Sequence, residues 1–147
     1  MDFADIVVIE DSNHDAEMIM DAIHDQDTSS RIKIFGDGSD ALDYFFGSKG
    51  CSREHTFLLP KFIILDLKLP KVGGIEVLKR LRSDERTKHV PVVVFTSSNE
   101  LKDRHESYIF GANSYIVKPL DSDAFTHVVR DLATYWISIN SVLHDHN

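Results

Sequence analysis

The chain predicts a parallel α/β sheet with helices on both faces, from three observations. Five short β-branched runs recur at about residues 5 to 10, 31 to 36, 61 to 66, 91 to 96 and 114 to 118. Segments with helical spacing separate them, and right-handed crossovers then give a doubly wound sheet. Just past the apolar runs stand Glu10 and Asp11, Asp66 and Lys118, with Thr96 closing the fourth strand, and they meet at one end of the sheet if the runs are neighbouring parallel strands. Open sheets of this kind bind ligands in the crevice beyond the carboxyl ends of their strands.

Each element has a local reason. Ile6-Val7-Val8-Ile9 and Phe62-Ile63-Ile64-Leu65 have the length and apolar continuity of strands buried on both faces. Between the first and second strands, Ala16, Ile19, Met20 and Ile23 share one face of a helix. Asp37-Gly38-Ser39-Asp40 supplies the capping residue of a second helix, whose apolar face is Ala41, Leu42, Phe45 and Phe46. Gly73-Gly74 precedes a third, with Val77, Leu78 and Leu81 inward. Ser97-Ser98-Asn99-Glu100 reads as a capping box for a fourth, with Leu101, Tyr108 and Ala112 at helical spacing and Gly111 as its left-handed terminator. One connection, Gly47 to Pro60, exceeds the usual length of about 2–6 residues; it reads as a solvated excursion with Phe57-Leu58-Leu59 tucked at the sheet edge.

Composition bounds what the strand-end charges can belong to. At 147 residues the chain has the size of one domain, with its core at about 4 to 134 and a helical extension at about 135 to 144. Sixteen Lys and Arg against 24 Asp and Glu give a formal charge of -8, which repels a phosphate backbone, so direct nucleic-acid binding is not expected. With a single cysteine, Cys51, and no leader or long apolar span, the expected setting is a reducing cytoplasm without a membrane. The eight histidines lack a repeated ligand spacing, which argues against a soft-metal site.

Magnesium takes oxygen ligands and uses one or two carboxylates together with phosphate oxygens, a requirement that Glu10, Asp11 and Asp66 meet. Crowded carboxylates oppose one another's ionisation, and a cation relieves that conflict. One of them can then attack a phosphoryl group and form an acyl phosphate. Asp66, alone on the central strand, is the candidate. The Thr96 hydroxyl is placed to donate to one phosphoryl oxygen and the Lys118 ammonium to neutralise another. Pro119 breaks the fifth strand, and a cis Lys118–Pro119 bond is expected to fix the direction of the lysine.

With the pair Glu10-Asp11, the stretch ILDLKLPKVGGIEVL around Asp66, VVFTSS with Thr96 and YIVKP with Tyr115 and Lys118, the sequence resembles a response-regulator receiver domain, the phosphoacceptor half of two-component signalling. The resemblance implies a flavodoxin-like (βα)₅ fold, Mg²⁺ dependence, phosphoryl transfer from a sensor histidine kinase to Asp66 and later hydrolysis. It further implies that Lys68 offers its main-chain carbonyl to the metal, that Thr96 and Tyr115 switch together, and that the domain is a phosphoacceptor rather than a conventional enzyme. The long loop before the third strand and the ending DLATYWISINSVL are similar to single-domain regulators paired with bacterial phytochromes. Because no effector domain follows residue 147, the expected output is a change of downstream protein partner.

Three other readings compete. A flavodoxin-like cofactor binder needs a phosphate-accepting loop after the first strand, where Glu10-Asp11-Ser12-Asn13-His14-Asp15 would repel one. A docking module that is never phosphorylated would not require the full set at the strand ends. An aspartyl phosphatase lacks a second carboxylate two residues beyond Asp66, where Lys68 stands. Finally, Phe125, Val128, Val129, Leu132, Trp136, Ile139 and Leu143 form a helical stripe from Asp121 almost to the tail. A helix that long outruns a five-stranded sheet, so Trp136, Ile137 and Ile139 are expected to project beyond the core and support a homodimer, on the face of the fourth helix, fifth strand and fifth helix that the family commonly uses.

Overall fold

Alternating strands and helices follow one another as β1 (Ile6–Ile9), α1 (Asn13–Gln26), β2 (Ile32–Phe35), α2 (Gly38–Phe46), β3 (Phe62–Leu65), α3 (Gly74–Ser83), β4 (Val92–Thr96), α4 (Leu101–Ile109), β5 (Ser114–Val117) and α5 (Ser122–Ala133). The computed structural model describes residues 4–47 and 59–141, so Cys51, Phe57, Leu58 and Leu143 lie outside the described residues. All strand pairs are parallel, in the order β2-β1-β3-β4-β5. The expected doubly wound (βα)₅ class is the one observed, with each strand within two residues of its sequence-derived position.

The two-residue period of the strands divides the core into two layers. Ile6, Val8, Phe62, Ile64, Val93 and Phe95 face Ile19 and Ile23 of α1 and Phe125, Val129 and Leu132 of α5. Val7, Ile9, Ile63, Leu65 and Val92 face Ala41 and Phe45 of α2 and Val77, Leu78 and Leu81 of α3. Burial on both faces holds for β1, β3 and β4 but not for the edge strands β2 and β5, which are half-buried because each has a neighbour on one side only.

Two helices depart from expectation. The capping box from Ser97 to Glu100 is absent: α4 begins at Leu101 with Glu100 as its cap residue and no side-chain cap bond, while the Ser98 hydroxyl donates to Asp103 at 2.6 Å and accepts the Glu100 N–H at 3.3 Å. Nor do Leu101 and Tyr108 face inward; they are 75% and 50% exposed, and α4 buries only Ser107, whose hydroxyl donates to the Asp103 carbonyl. At the C-terminal end, α5 gives way at Thr134 to a π-helical turn, Thr134–Ile139, capped at Asn140. Within this turn Trp136 and Ile137 pack on the α1–α5 side of the core, with the Trp136 ring stacked 6.4 Å from Phe62. Of the three residues expected to project past the core, only Ile139 is open to solvent, at 64% exposure.

Arg82 at the end of α3 joins elements that the sheet leaves apart. Its guanidinium donates to the carbonyls of Val90 at 2.8 Å, Lys88 at 3.2 Å and Gly111 at 2.9 Å, and to Asn113 Oδ1 at 2.8 Å. Gly111 sits at φ 102, and a Cβ there would lie 2.9 Å from the Arg82 side chain, so both conformation and space require glycine. Replacing Arg82 with Leu strands these acceptors and is expected to cost about 2–3 kcal/mol in urea unfolding. The exposed Arg80, which lies over the Phe46 ring, should cost about 1 kcal/mol or less on the same change.

Candidate functional site

β1 lies between β2 and β3, so the crossovers diverge on either side of it and leave a crevice past the carboxyl ends of β1 and β3. Ile9 is in register with Leu65, which sets the next residues, Glu10 and Asp66, side by side. The Asp66 N–H donates to the Ile9 carbonyl at 3.0 Å, and the Glu10 N–H to the Phe35 carbonyl at 2.9 Å. Behind Asp66 the loop is held tightly by Gly74, whose N–H donates to the Leu67 carbonyl at 3.0 Å. A Cβ on Gly74 would fall 2.4 Å from the Asp66 carbonyl oxygen, so only glycine lets α3 begin this close to the site. The turn between them carries Lys71 at φ 66, an uncommon left-handed conformation for a side-chain-bearing residue.

At the crevice the Lys118 ammonium donates to Glu10 Oε1 at 2.7 Å, Asp15 Oδ2 at 2.8 Å and Asp66 Oδ2 at 2.9 Å. These contacts use all three of its N–H bonds. Burial alone would lower the lysine's pKa, but the hydrogen bonds it donates to Asp15, Glu10 and Asp66 outweigh it and hold the ammonium well above its ordinary range. Burial pushes Glu10 up to about 7, and the charge of Asp66 adds to this; the Lys118 bond and the Ser12 N–H at 3.1 Å oppose the shift without overcoming it. Glu10 thus moves up because burial outweighs its bonds to Lys118 and Ser12, and Lys118 because three carboxylates accept from it.

Asp11 stands exposed at the rim, and carboxylate oxygens of Glu10, Asp11 and Asp66 all lie within 4.8 Å of one another. An oxygen-preferring cation bound at about 2.1 Å can reach such a set directly or through its retained waters. The hard donor set and its uncompensated charge therefore fit Mg²⁺.

The remaining predicted residues are arranged around this centre. The Lys68 N–H donates to Asp66 Oδ1 at 3.3 Å. Thr96 is buried at the end of β4; its carbonyl accepts the Lys118 N–H at 2.7 Å and its Oγ1 accepts the Ser98 N–H at 3.4 Å. The Tyr115 hydroxyl donates to the Ser98 carbonyl at 2.9 Å, and the Arg104 guanidinium lies 5.7 Å from the centre of its ring. The expected cis bond is absent, as the described residues contain no cis peptide; Lys118 is aimed instead by its three carboxylate partners. Trp136 and Ile139, at the other end of α5, have no part in the crevice.

Sequence reasoning missed Asp15 as a partner of Lys118. An acidic residue in a first helical turn reads as a favourable dipole interaction, and that reading conceals its second role. No local signal marked that role, because the partner lies 103 positions away in the chain.

A raised Glu10 pKa fixes the sign of a pH effect. In the ion-free protein its contribution to stability is fully present below the ordinary value of 4.5 and is lost as pH rises through about 7. Melting temperature without divalent ions is expected to fall across that window, and Mg²⁺ should restore it at pH 8. Glu10→Gln should flatten the dependence in thermal melts.

Residues 6–130 match the response regulator receiver domain family. The probable methanogenesis regulatory protein FilR2 of Methanothrix harundinacea is 38% identical over 135 residues, covering 92% of this chain and 84% of that protein. The Mn²⁺-bound form of response regulator Rcp1 superposes with a TM-score of 0.82 at 27% identity, covering 93% of this chain and 96% of that one. The phosphorylated cyanobacterial phytochrome response regulator RcpA gives 0.84 at 27% identity, covering 97% and 99%. Receiver domains are signalling domains rather than conventional enzymes, with phosphorylation and Mg²⁺ binding at an acidic pocket as general properties. With its match to the family over most of its length, its parallel five-stranded sheet and its acidic crevice closed by a lysine, the chain belongs to the response regulator receiver domains of two-component signalling.

Proposed function

We propose that the chain is a single receiver domain, with its core at about 4 to 134, that accepts a phosphoryl group on Asp66 from a sensor histidine kinase in a Mg²⁺-dependent reaction. Its output is an altered protein–protein interaction. The supporting observation is the convergence of Glu10, Asp11, Asp66 and Lys118 at the crevice, with Thr96 at the end of the adjoining strand. Glu10, Asp11, Asp66 and the Lys68 carbonyl would hold the cation, which when bound would offset the negative charge of the carboxylates and the phosphoryl oxygens. Asp66 is the nucleophile, and Lys118 and Thr96 each take a phosphoryl oxygen.

The signal leaves through Ser98. Its N–H is held by Thr96 and its carbonyl by Tyr115. Drawing the Thr96 hydroxyl toward a phosphoryl oxygen frees that N–H, shifts the acceptor of Tyr115 and so repositions the start of α4. The reading of a phytochrome-type kinase is supported by the likeness to RcpA. The acidic composition and the phosphoacceptor role point to the cytoplasm, with no direct contact with nucleic acid. No helix among the described residues is long and apolar enough to cross a membrane.

Two experiments test this function. Incubation with Mg²⁺ and acetyl phosphate should add one acid-labile phosphoryl group by intact mass, and Asp66→Asn should abolish the addition; a native protein that gains nothing would instead be a docking module. The exposed Leu101, Tyr108, Val117, Leu120 and Ile139 support the homodimer. Sedimentation equilibrium should show self-association that Leu120→Glu disrupts; a monomer at high micromolar concentration, with and without phosphorylation, removes the dimer.

A further inference from the structure

Among the described residues Lys118 is the cation that pairs with Glu10, Asp15 and Asp66 at the crevice, and how it is held governs what it can do. Two of its partners, Glu10 and Asp66, belong to the site inferred above. The third, Asp15, comes from the first turn of α1, where the helix start is fixed by the Ser12 hydroxyl accepting the Asp15 N–H at 3.2 Å. Asp15 Oδ2 lies 2.8 Å from the ammonium, as close as the two buried carboxylates, although its side chain is 23% exposed against 2% for Glu10 and 7% for Asp66. It is not among the carboxylates grouped for a cation.

We propose that Asp15 is a positioning residue for phosphoryl acceptance: it anchors the Lys118 ammonium from the α1 side so that one N–H can pass from Asp66 to an incoming phosphoryl oxygen. The proposal rests on Asp66 being the phosphoacceptor. In the transfer, an Asp66 carboxylate oxygen forms a bond to phosphorus, and the bond from phosphorus to the donor breaks, its electron pair leaving with the donor. Lys118 stays protonated throughout. Asp66 thereby changes from an anionic carboxylate to a neutral acyl group and becomes a weaker acceptor, while the phosphoryl oxygens bring new negative charge alongside it. The N–H that bonds Asp66 Oδ2 then shifts to a phosphoryl oxygen. Glu10 and Asp15 retain the other two, one from the sheet and one from the helix.

Without Asp15 the ammonium is held from the sheet side alone. It is then free to rotate, to admit water or to collapse onto the cation ligands. Oriented charge loses much of its effect when its carrier is displaced by about 1 Å.

Asp15 also lies where a carboxylate favours the start of a helix, so a loss of stability on its removal would not by itself support this role. The deciding measurements are exchange of the Lys118 ammonium protons with water, by ¹⁵N NMR at low temperature, and the rate of phosphorylation as acetyl phosphate is varied at saturating Mg²⁺. In Asp15→Ala, the exchange should be about tenfold faster and the maximal phosphorylation rate about tenfold lower, with the donor concentration at half-maximal rate unchanged. Asp15→Glu, which keeps the charge, should recover most of both. Should Asp15→Ala fail to fold, Asp15→Asn makes the same comparison with the shape retained and the charge removed. Unchanged exchange, an equal or higher maximal rate, or an equal loss in the Ala and Glu variants would overturn the proposal. If the native protein takes up no phosphoryl group, the phosphoacceptor reading fails separately, and the exchange measurement alone then decides whether Asp15 anchors the lysine.

Discussion

One ammonium shared among three carboxylates is the constraint around which this molecule is arranged. Burying a charge costs several kcal/mol unless it is paired and hydrogen-bonded, and Glu10, Asp66 and Lys118 are all nearly closed to solvent. Lys118 resolves its own cost completely, with three acceptors for three N–H bonds. The carboxylates do not: Glu10 is driven up to about 7, and Asp11 at the rim adds further negative charge. The crevice therefore carries an excess of negative charge that a divalent cation with oxygen ligands can relieve. Strand register, the absence of a side chain at Gly74 and the early start of α1 all bring these groups to one point.

The same end of the sheet connects the crevice to the surface. Lys118 and Thr96 are joined by a main-chain bond between β5 and β4, and Ser98 links Thr96 to Tyr115 and, through its hydroxyl, to Asp103 on α4. α4 is the least embedded of the helices: it buries only Ser107 and leaves Leu101, Tyr108 and Ile109 exposed. An element with so few buried apolar contacts can be repositioned at low cost. Such a helix, bonded to the loop that carries Ser98, is suited to transmit a local charge change to a partner surface. By contrast α1 and α5 pack on each other and on the central strands, with Arg130 and Asp25 paired across them at 2.6 Å.

At the opposite end of the molecule, the chain ends its last helix by widening rather than stopping. Within the π-helical turn Trp136 stacks on Phe62 and meets Tyr135 edge-on at 4.9 Å, extending the α1–α5 side of the core. Ile139 and Tyr135 remain at the surface.

Sequence alone determined the fold class and most of the crevice, because both depend on short-range pattern. Continuous β-branched runs of strand length, separated by helical spacing, admit few topologies, and residues that immediately follow parallel strands must gather at one sheet end. Glu10, Asp11, Asp66, Thr96 and Lys118 were legible for that reason. Tertiary structure alone decided what depends on a partner distant in sequence. Asp15 meets Lys118 across 103 positions of the chain, and nothing in a first-turn aspartate announces that encounter. The outward face of α4 likewise became visible only in the fold, with Leu101 and Tyr108 at the surface. The π-helical turn at Thr134, and the stacking of Trp136 on Phe62 beyond it, also emerge only in the fold. Periodicity states which residues share a face; only packing decides where a face ends.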